Sequence, residues 1–511
     1  MWPDDLASAE EMRCYDRQAI DRGISSLELM ERAGDGIARE MCELISPSSS
    51  VVVFCGPGNN GGDGLVVGQR LKERGFSVTT VVCCDGKLTE ETANQIKKST
   101  DVHVFGNLPT VIESSEVSFV DSVDVERIAR SADVIVDALL GIGQEGEPRR
   151  TIGRVLEVLS SSIPDGVFFS VDVPTGVNAD TGVVYPRAIH ATRTYAIECV
   201  KKGLSQFPAR QFCGCLSVIP IGIALKPRAG SQAIHRGSFP AGPRRAVDAH
   251  KGDLGRVLII GGSRSMPGAG MLAALGALRA GAGIVSRVVR ATWPFVPPLP
   301  ECMFEVLEGE DSSFNELDVE AILAACQRYD SLVIGPGTGH SAHTVGFFDK
   351  LLKGLLNFKG KVVFDADALN CMAGRLPECR LGSNFVITPH PGEAARLLGV
   401  TVGQVQVDRF AAIEELVTKT GCTVVLKGPG TLVSDGNGIH VVTAGNPVLA
   451  TPGSGDVLAG VIATTIVQSG QVIDGARFGA WLHASAGDLL AEEGRITVLA
   501  SELGDALSRV L

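Results

Sequence analysis

The sequence predicts an α/β protein of two consecutive domains, each built on a mostly parallel sheet. Three observations carry this. Short all-apolar runs alternate with stretches of helical periodicity along the whole chain, as a sheet covered on both faces requires. The 511 residues exceed what one domain of ordinary size holds. Between Lys226 and Lys251 the alternation gives way to Pro, Gly, Arg and Ser, a composition suited to an exposed connector.

Taken in order, Ser25-x-x-Glu28 reads as a capping box, after which Leu27, Met30, Ala33, Ile37, Met41 and Leu44 recur at helical spacing. The runs at 51–54, 78–82, 134–136 and 167–173 read as strands. The first of them runs into a glycine-rich loop, and a helix is expected from near Leu65. After the connector, strands are expected at 257–260, 332–334, 362–364, 385–387 and 424–426. The domains are therefore assigned to residues 1–228 and 235–511, divided near Ala229.

Composition narrows the function. With 46 basic against 58 acidic residues the formal charge is −12, which argues against a nucleic-acid or membrane-surface binder. Met1-Trp2-Pro3-Asp4-Asp5 lacks the basic-then-apolar start of a signal peptide. The apolar stretch 457–467 is shorter than the roughly 20 residues a bilayer span needs. The 13 cysteines form no paired C-x-x-C knuckles and read as reduced thiols packed as small hydrophobes, with zinc binding the lesser alternative.

Two constellations carry chemistry. In the first half, Gly56-Pro-Gly-Asn59-Asn60-Gly61-Gly62-Asp63-Gly64 puts five glycines in nine residues after a strand, more than a turn needs. Backbone N–H groups there suit a phosphate, and the Asn and Asp oxygens suit a ribose, an amide or a hard cation. Val136-Asp137, running into Ala-Leu-Leu-Gly141-Ile142-Gly143, and Ser170-Val-Asp172-Val-Pro-Thr175 are further strand ends, which share one crevice in an open parallel sheet.

In the second half, Thr451-Pro-Gly-Ser-Gly455-Asp456 precedes an apolar helix, so an anion hole is followed at once by a carboxylate. The competing reading makes Asp456 a mere helix cap. Lys427-Gly428-Pro429-Gly430-Thr431 suits nucleotide phosphates without being a Walker A loop. His390, between two prolines, reads as a ligand contact; Gly335–Gly339 is another strand-end turn; Asp365 and Asp367 are candidates for Mg²⁺ or substrate.

With these residues in hand, the first half resembles the NAD(P)HX epimerase domain, on Gly-Asn-Asn-Gly-Gly-Asp-Gly, Asp137-Ala-Leu-Leu-Gly, Ser-Val-Asp-Val-Pro-Thr-Gly and the leading Met12-Arg13-x-x-Asp16. The second resembles the ribokinase-like ADP/ATP-dependent NAD(P)HX dehydratase, on His250-Lys-Gly-Asp-x-Gly255, Thr388-Pro-His-Pro-Gly-Glu393 and the string from Thr451 to Gly460. The resemblance implies a Rossmann-like three-layer α/β/α domain followed by a ribokinase-like α/β domain. It implies K⁺ held by Asn60, Asp137 and Thr175. The hydrated nucleotide would meet Asn59, Asn60, Gly61, Gly62, Asp63, Gly141, Ile142, Gly143, Gln144, Glu145, Gly146, Glu147 and Asp172, with Asp172 as acid/base.

For the dehydratase it implies substrate contacts at Ala269, Gly339, His390 and the catalytic Asp456. Nucleotide contacts fall on Lys427, Gly428, Pro429, Gly430, Thr431 and Gly455, with Mg²⁺ and ADP or ATP as cofactors. NADHX and NADPHX are the expected substrates of a cytoplasmic homo-oligomer with no nucleic-acid or membrane partner. The alternative is a ribokinase-like small-molecule kinase fused to a non-catalytic nucleotide-binding domain. Two departures stand out: Ile142 where the family usually carries Thr, and Met266 near where it commonly carries Tyr.

Overall fold

The computed structural model describes residues 3–108, 117–163, 166–223, 230–239, 247–293, 299–375 and 380–511. Residues 226–229, including Ala229, and 240–246 of the connector lie outside the described residues. The chain divides into two compact units, Met1–Gly230 and Ser231–Leu511.

The first unit holds an eight-stranded sheet in the order Cys215–Ile219, Arg193–Ile197, Phe168–Val171, Val134–Ala138, Ser50–Cys55, Ser77–Asp85, Val102–Asn107, Val117–Val120. Every neighbouring pair is parallel. Strand residues alternate between two cores. Val51, Val53 and Cys55 pack with Ile37 and Met41 of helix Ser26–Leu44 and Leu65 and Leu71 of helix Asn59–Glu73. Val52 and Phe54 face Ile128 of helix Ser122–Arg130 and Val155 and Leu159 of helix Arg150–Ser162. Two apolar faces on every central strand make the three layers. The expected capping box at Ser25 is only half formed: its hydroxyl accepts from the Glu28 N–H, but the Glu28 carboxylate is drawn to Arg32, 2.6 Å away.

The second unit's sheet runs Cys302–Leu307, Ile284–Arg290, Arg256–Ile260, Ser331–Ile334, Lys361–Phe364, Phe385–Ile387, Thr423–Leu426, Leu432–Ser434, Ile439–Val442, Ser231–Ile234. All the strands read from the sequence lie here and are parallel. The exception to parallel pairing is Leu432–Ser434, antiparallel to both neighbours, which a short turn at Asp435–Gly438 makes possible. Helices Pro267–Arg279 and Ser454–Gln468 cross closely. A Cβ at Gly276 would lie 2.1 Å from the Val457 carbonyl, and one at Gly460 would lie 1.9 Å from that of Ala273. Glycine at those two positions sets Ala269 and Asp456 on the opening turns of neighbouring helices.

Candidate active sites

In the first unit the chain turns back at one place in the sheet. Ser50–Cys55 leads outward to Ser77–Asp85, while Val134–Ala138 returns to its other flank and continues to Phe168–Val171. The crevice beyond the carboxyl ends of those strands is where such sheets take ligands. A cavity of about 450 Å³ opens there, lined by Asp16, Asn59, Asn60, Asp63, Gly141–Gln144, Asp172 and Lys201 among others.

The glycine-rich segment is not the loop the sequence suggested. The helix starts at Asn59, not near Leu65, with Gly58 as an N-cap that offers no side-chain bond. Three of its glycines are packing requirements. A Cβ at Gly61 would sit 1.9 Å from the Gly56 carbonyl, one at Gly62 would sit 2.4 Å from Met30 Cε, and one at Gly64 would sit 2.4 Å from Ala138 Cβ. The helix is thereby pressed onto the sheet, and its uncapped first turn faces the cavity with Asn59 and Asn60.

Asp137 and Thr175 meet directly. Asp137 is buried and accepts from Thr175 Oγ1 at 2.6 Å, Thr175 N at 2.8 Å, Ser170 Oγ at 2.9 Å and Leu139 N at 3.3 Å. Burial pushes its carboxyl up, and hydrogen bonds from Thr175, Ser170 and Leu139 pull it back. Asn60 stands near Gly141, where a Cβ would be 3.1 Å from its Oδ1, and its buried Nδ2 has no partner. Asp137 and Thr175 thus make one buried oxygen pair, and Asn60 lies beside Gly141.

Asp172 has a left-handed φ of 65°, a strained conformation of a kind that clusters at functional sites. Its Oδ1 accepts from the Ile197 N–H at 3.1 Å and pairs with the buried Lys201 ammonium. Lys201 also donates to the Ile197 carbonyl at 2.8 Å. Asp63 stands in the same cavity, pushed well above the carboxylate range by burial and by the charges of Asp172 and Asp16, against the pull of Lys201. The Gly141–Glu147 loop is fastened by Gln144, whose Oε1 accepts from the Gly176 N–H at 2.9 Å; Glu145 and Glu147 are exposed. Ile142 packs against Ala7, Met12 and Cys199, an apolar setting that accounts for an aliphatic residue in place of Thr.

In the second unit, strand ends gather a charged cluster. Lys427 Nζ lies 2.6 Å from Asp365 Oδ1 and 3.8 Å from Glu393 Oε2. Asp365 also accepts from Thr388 Oγ1 at 2.7 Å. Burial opposes the Lys427 charge, but Asp365, Glu393 and Asp456 outweigh it and raise its pKa. Asp456 is pushed up to about 7 by burial and then by Asp365, with Lys427 opposing; Glu393 is pushed up to about 7 mainly by burial. The cap of the Ser454–Gln468 helix is Gly453, at φ 87°, so Asp456 is not the capping residue and its carboxyl is left for other work. Gly455 sits against Lys427: a Cβ there would be 3.4 Å from its Nζ.

The Lys427–Thr431 turn is closed by Thr431 Oγ1, which donates to the Gly428 carbonyl at 2.9 Å, and is backed by the buried Arg409 donating to the Leu426 carbonyl at 3.1 Å. Pro429 is exposed and Gly430 buried. Gly339 donates its N–H to Asp367 at 2.8 Å, and Ala269 abuts Gly337. His390 caps the Pro391–Leu398 helix, Nδ1 accepting from Gly392 N at 2.9 Å, while burial and the Lys427 charge hold its half-exposed ring below the ordinary imidazole pKa. Asp365 and Asp367 are thus occupied in holding Lys427 and Gly339. Among the described residues, no group of three or more His, Cys, Asp or Glu side chains is arranged as a metal site.

Sequence reasoning passed over Lys201, Arg409 and the role of Glu393. The available signal was a lysine directly after the apolar pair Cys199-Val200 and an arginine on a buried helix face.

A family profile described as NAD(P)H-hydrate dehydratase matches residues 257–509, and one described as YjeF-related protein N-terminus matches residues 26–203. The chain is 35% identical to the bifunctional NAD(P)H-hydrate repair enzyme Nnr of Coxiella burnetii, covering 96% of this chain and 95% of that one. It is equally 35% identical to the protein of that name from Escherichia coli, covering 98% and 93%. Among solved structures, the ADP/ATP-dependent NAD(P)H-hydrate dehydratase from Bacillus subtilis, co-crystallized with ATP/Mg²⁺, is 30% identical over 52% of this chain and 92% of its own, with a TM-score of 0.45. With relatives at this identity matched over nearly their whole length, the chain belongs to the bifunctional NAD(P)H-hydrate repair enzyme family.

Proposed function

We propose that this chain repairs hydrated nicotinamide nucleotides, the first unit interconverting R- and S-NAD(P)HX and the second dehydrating the S form to NAD(P)H. The observation that carries the reading is the presence of two separate acid–base constellations, one in each unit, in a chain whose relatives bear the name of a bifunctional repair enzyme. Domains 1–228 and 235–511 are the proposed bearers of the two activities.

In the first site Asp172, held by Lys201 and Ile197 N, is the proton-moving residue at the hydrated carbon. Asn59–Asp63 and Gly141–Glu147 bracket the ring and nucleotide, and K⁺ falls to Asn60, Asp137 and Thr175. In the second, Lys427–Thr431 and Gly455 hold the phosphates of ADP or ATP, whose charge Mg²⁺ screens when bound. Ala269, Gly339 and His390 hold the substrate. Asp456 takes the proton of the ring hydroxyl as that oxygen accepts a phosphoryl group; departure of phosphate from that carbon and of a proton from the neighbouring ring carbon then restores the double bond.

A homo-oligomer is supported by the edge strand Cys302–Leu307, which exposes Met303, Phe304 and Val306. Cytoplasmic residence is supported by the free thiols of every described cysteine. No helix among the described residues is long and apolar enough to cross a membrane. Purified protein incubated with mixed R- and S-NADHX should return all of it to NADH when ADP or ATP is present and none when both are absent. A stable phosphorylated product would instead identify a small-molecule kinase.

A further inference from the structure

Of the three carboxyls lining the first unit's cavity, Asp16, Asp63 and Asp172, the last two stand in opposite settings. Asp172 accepts from the main-chain N–H of Ile197 and from the Lys201 ammonium. Asp63, on the second turn of helix Asn59–Glu73, is only 8% exposed, yet no hydrogen-bond donor or cationic partner reaches its carboxyl among the described residues. A buried carboxylate without a partner is costly, and a neutral acid in that place is not. Asp172 and Asp16 add their charge against ionisation of Asp63, Lys201 opposes them, and the Cys55 thiol lies behind it. Asp16, on helix Ala9–Asp21, is more exposed, with Lys201, Asp172 and Glu198 around it. A carboxyl paired with an ammonium and a buried carboxyl with no hydrogen-bond donor among the described residues, on one cavity, make an acid–base pair.

We propose that Asp63 is the general acid and Asp172 the general base of a ring-opening epimerisation, with Lys201 a positioning residue that holds Asp172. The assignment rests on the epimerase reading of this unit. The hydrated carbon bears a hydroxyl and is bonded to the ring nitrogen. The Asp172 carboxylate takes the hydroxyl proton and the carbon–oxygen bond becomes a carbonyl. The carbon–nitrogen bond breaks, its electron pair passes to nitrogen, and the Asp63 carboxylic acid gives nitrogen a proton. Rotation about the adjoining carbon–carbon bond turns the other face of the aldehyde to nitrogen. Asp63 then removes the N–H proton as nitrogen attacks, and Asp172 returns its proton to oxygen. Both side chains end as they began, and no oxidant or reductant is consumed.

The test compares wild type with Asp63→Asn, Asp63→Ala, Lys201→Met and Lys201→Arg in the full chain. Asp63→Asn should slow R-to-S conversion by about 10²–10⁴-fold with KM little changed, while ADP-dependent dehydration of the S form proceeds at the wild-type rate. Formate should restore conversion to Asp63→Ala, as a small acid filling the vacated space. Lys201→Met should slow conversion, and Lys201→Arg should recover part of it. The infrared difference spectrum of substrate-free wild type minus Asp63→Asn should contain a neutral carboxylic-acid stretch, over and above those of Asp456 and Glu393, which cancel. Undiminished conversion by Asp63→Asn, or a difference spectrum without that stretch, overturns the proposal. A wild-type chain that leaves R and S forms unmixed sinks the epimerase reading itself and this assignment with it.

Discussion

Replacing Asp456 by Asn keeps the side chain's size and removes its charge, and the surroundings fix what should follow. Burial and Asp365 push this carboxyl from an ordinary 3.8 to about 7. A base must be ionised to work, so wild-type dehydration should climb with pH through about 7. The ionised fraction passes from about one-tenth at roughly pH 6 to about nine-tenths at roughly pH 8, close to a tenfold rise. Glu393, also pushed up to about 7, shares the cluster, so the limb belongs to the pair until Glu393→Gln separates them.

Asp456→Asn should abolish the limb and cost about 10²–10⁴-fold in rate, read as NADH absorbance regained from S-NADHX with ADP. Stability should move the other way. Because the folded pKa is raised, the unfolded chain loses its proton first; the penalty grows from pH 3.8 to about 7 and is constant above. At about 1.4 kcal/mol per pH unit that gap sets a ceiling of about 4 kcal/mol. The Asn variant should therefore unfold several degrees higher than wild type at about pH 8 and show little difference near pH 4. A variant that dehydrates at the wild-type rate, or is less stable at high pH, would refute Asp456 as a buried base.

Asp172→Asn should regain NADH quickly from the S form and then stall with R remaining; consumption of R at the wild-type rate would make Asp172 structural. Asp137→Ala should lower epimerisation and cost the first unit about 3–5 kcal/mol in denaturant unfolding, since Ser170 Oγ, Thr175 N and Oγ1 and Leu139 N all lose their acceptor. Unchanged unfolding and epimerisation would remove it from the site. Cutting the chain near Ala229 should yield two soluble fragments that keep their separate activities. Aggregation of both, or a second fragment inactive without the first, would defeat independent folding.

Much of the architecture was legible because it rests on local pattern. Each apolar run read as a strand contains one, though the strand read over 167–173 ends at Val171, since segments buried on both faces are mostly apolar. The antiparallel Leu432–Ser434 strand went unread because its apolar run is only Leu432-Val433, cut short by Ser434 and the Asp-Gly-Asn-Gly turn. The start of the helix at Asn59 was hidden by its glycines. Their low helix propensity argues for a loop, but contact with Gly56, Met30 and Ala138 excludes any side chain there.

The sequence alone determined which groups of atoms are available: an Asn-rich helix start, strand-end aspartates, a Lys-Gly-Pro-Gly turn and a Gly-Ser-Gly-Asp string, each recognisable because its parts are adjacent in the chain. Only the tertiary structure decided what state those groups are in. Lys201 reaches Asp172 across 29 positions, Lys427 reaches Asp365 across 62, and Asp63 finds no partner at all among the described residues. The protonation of a buried carboxyl is set by desolvation and by charges a few ångströms away, quantities that depend on through-space distance and not on spacing along the chain.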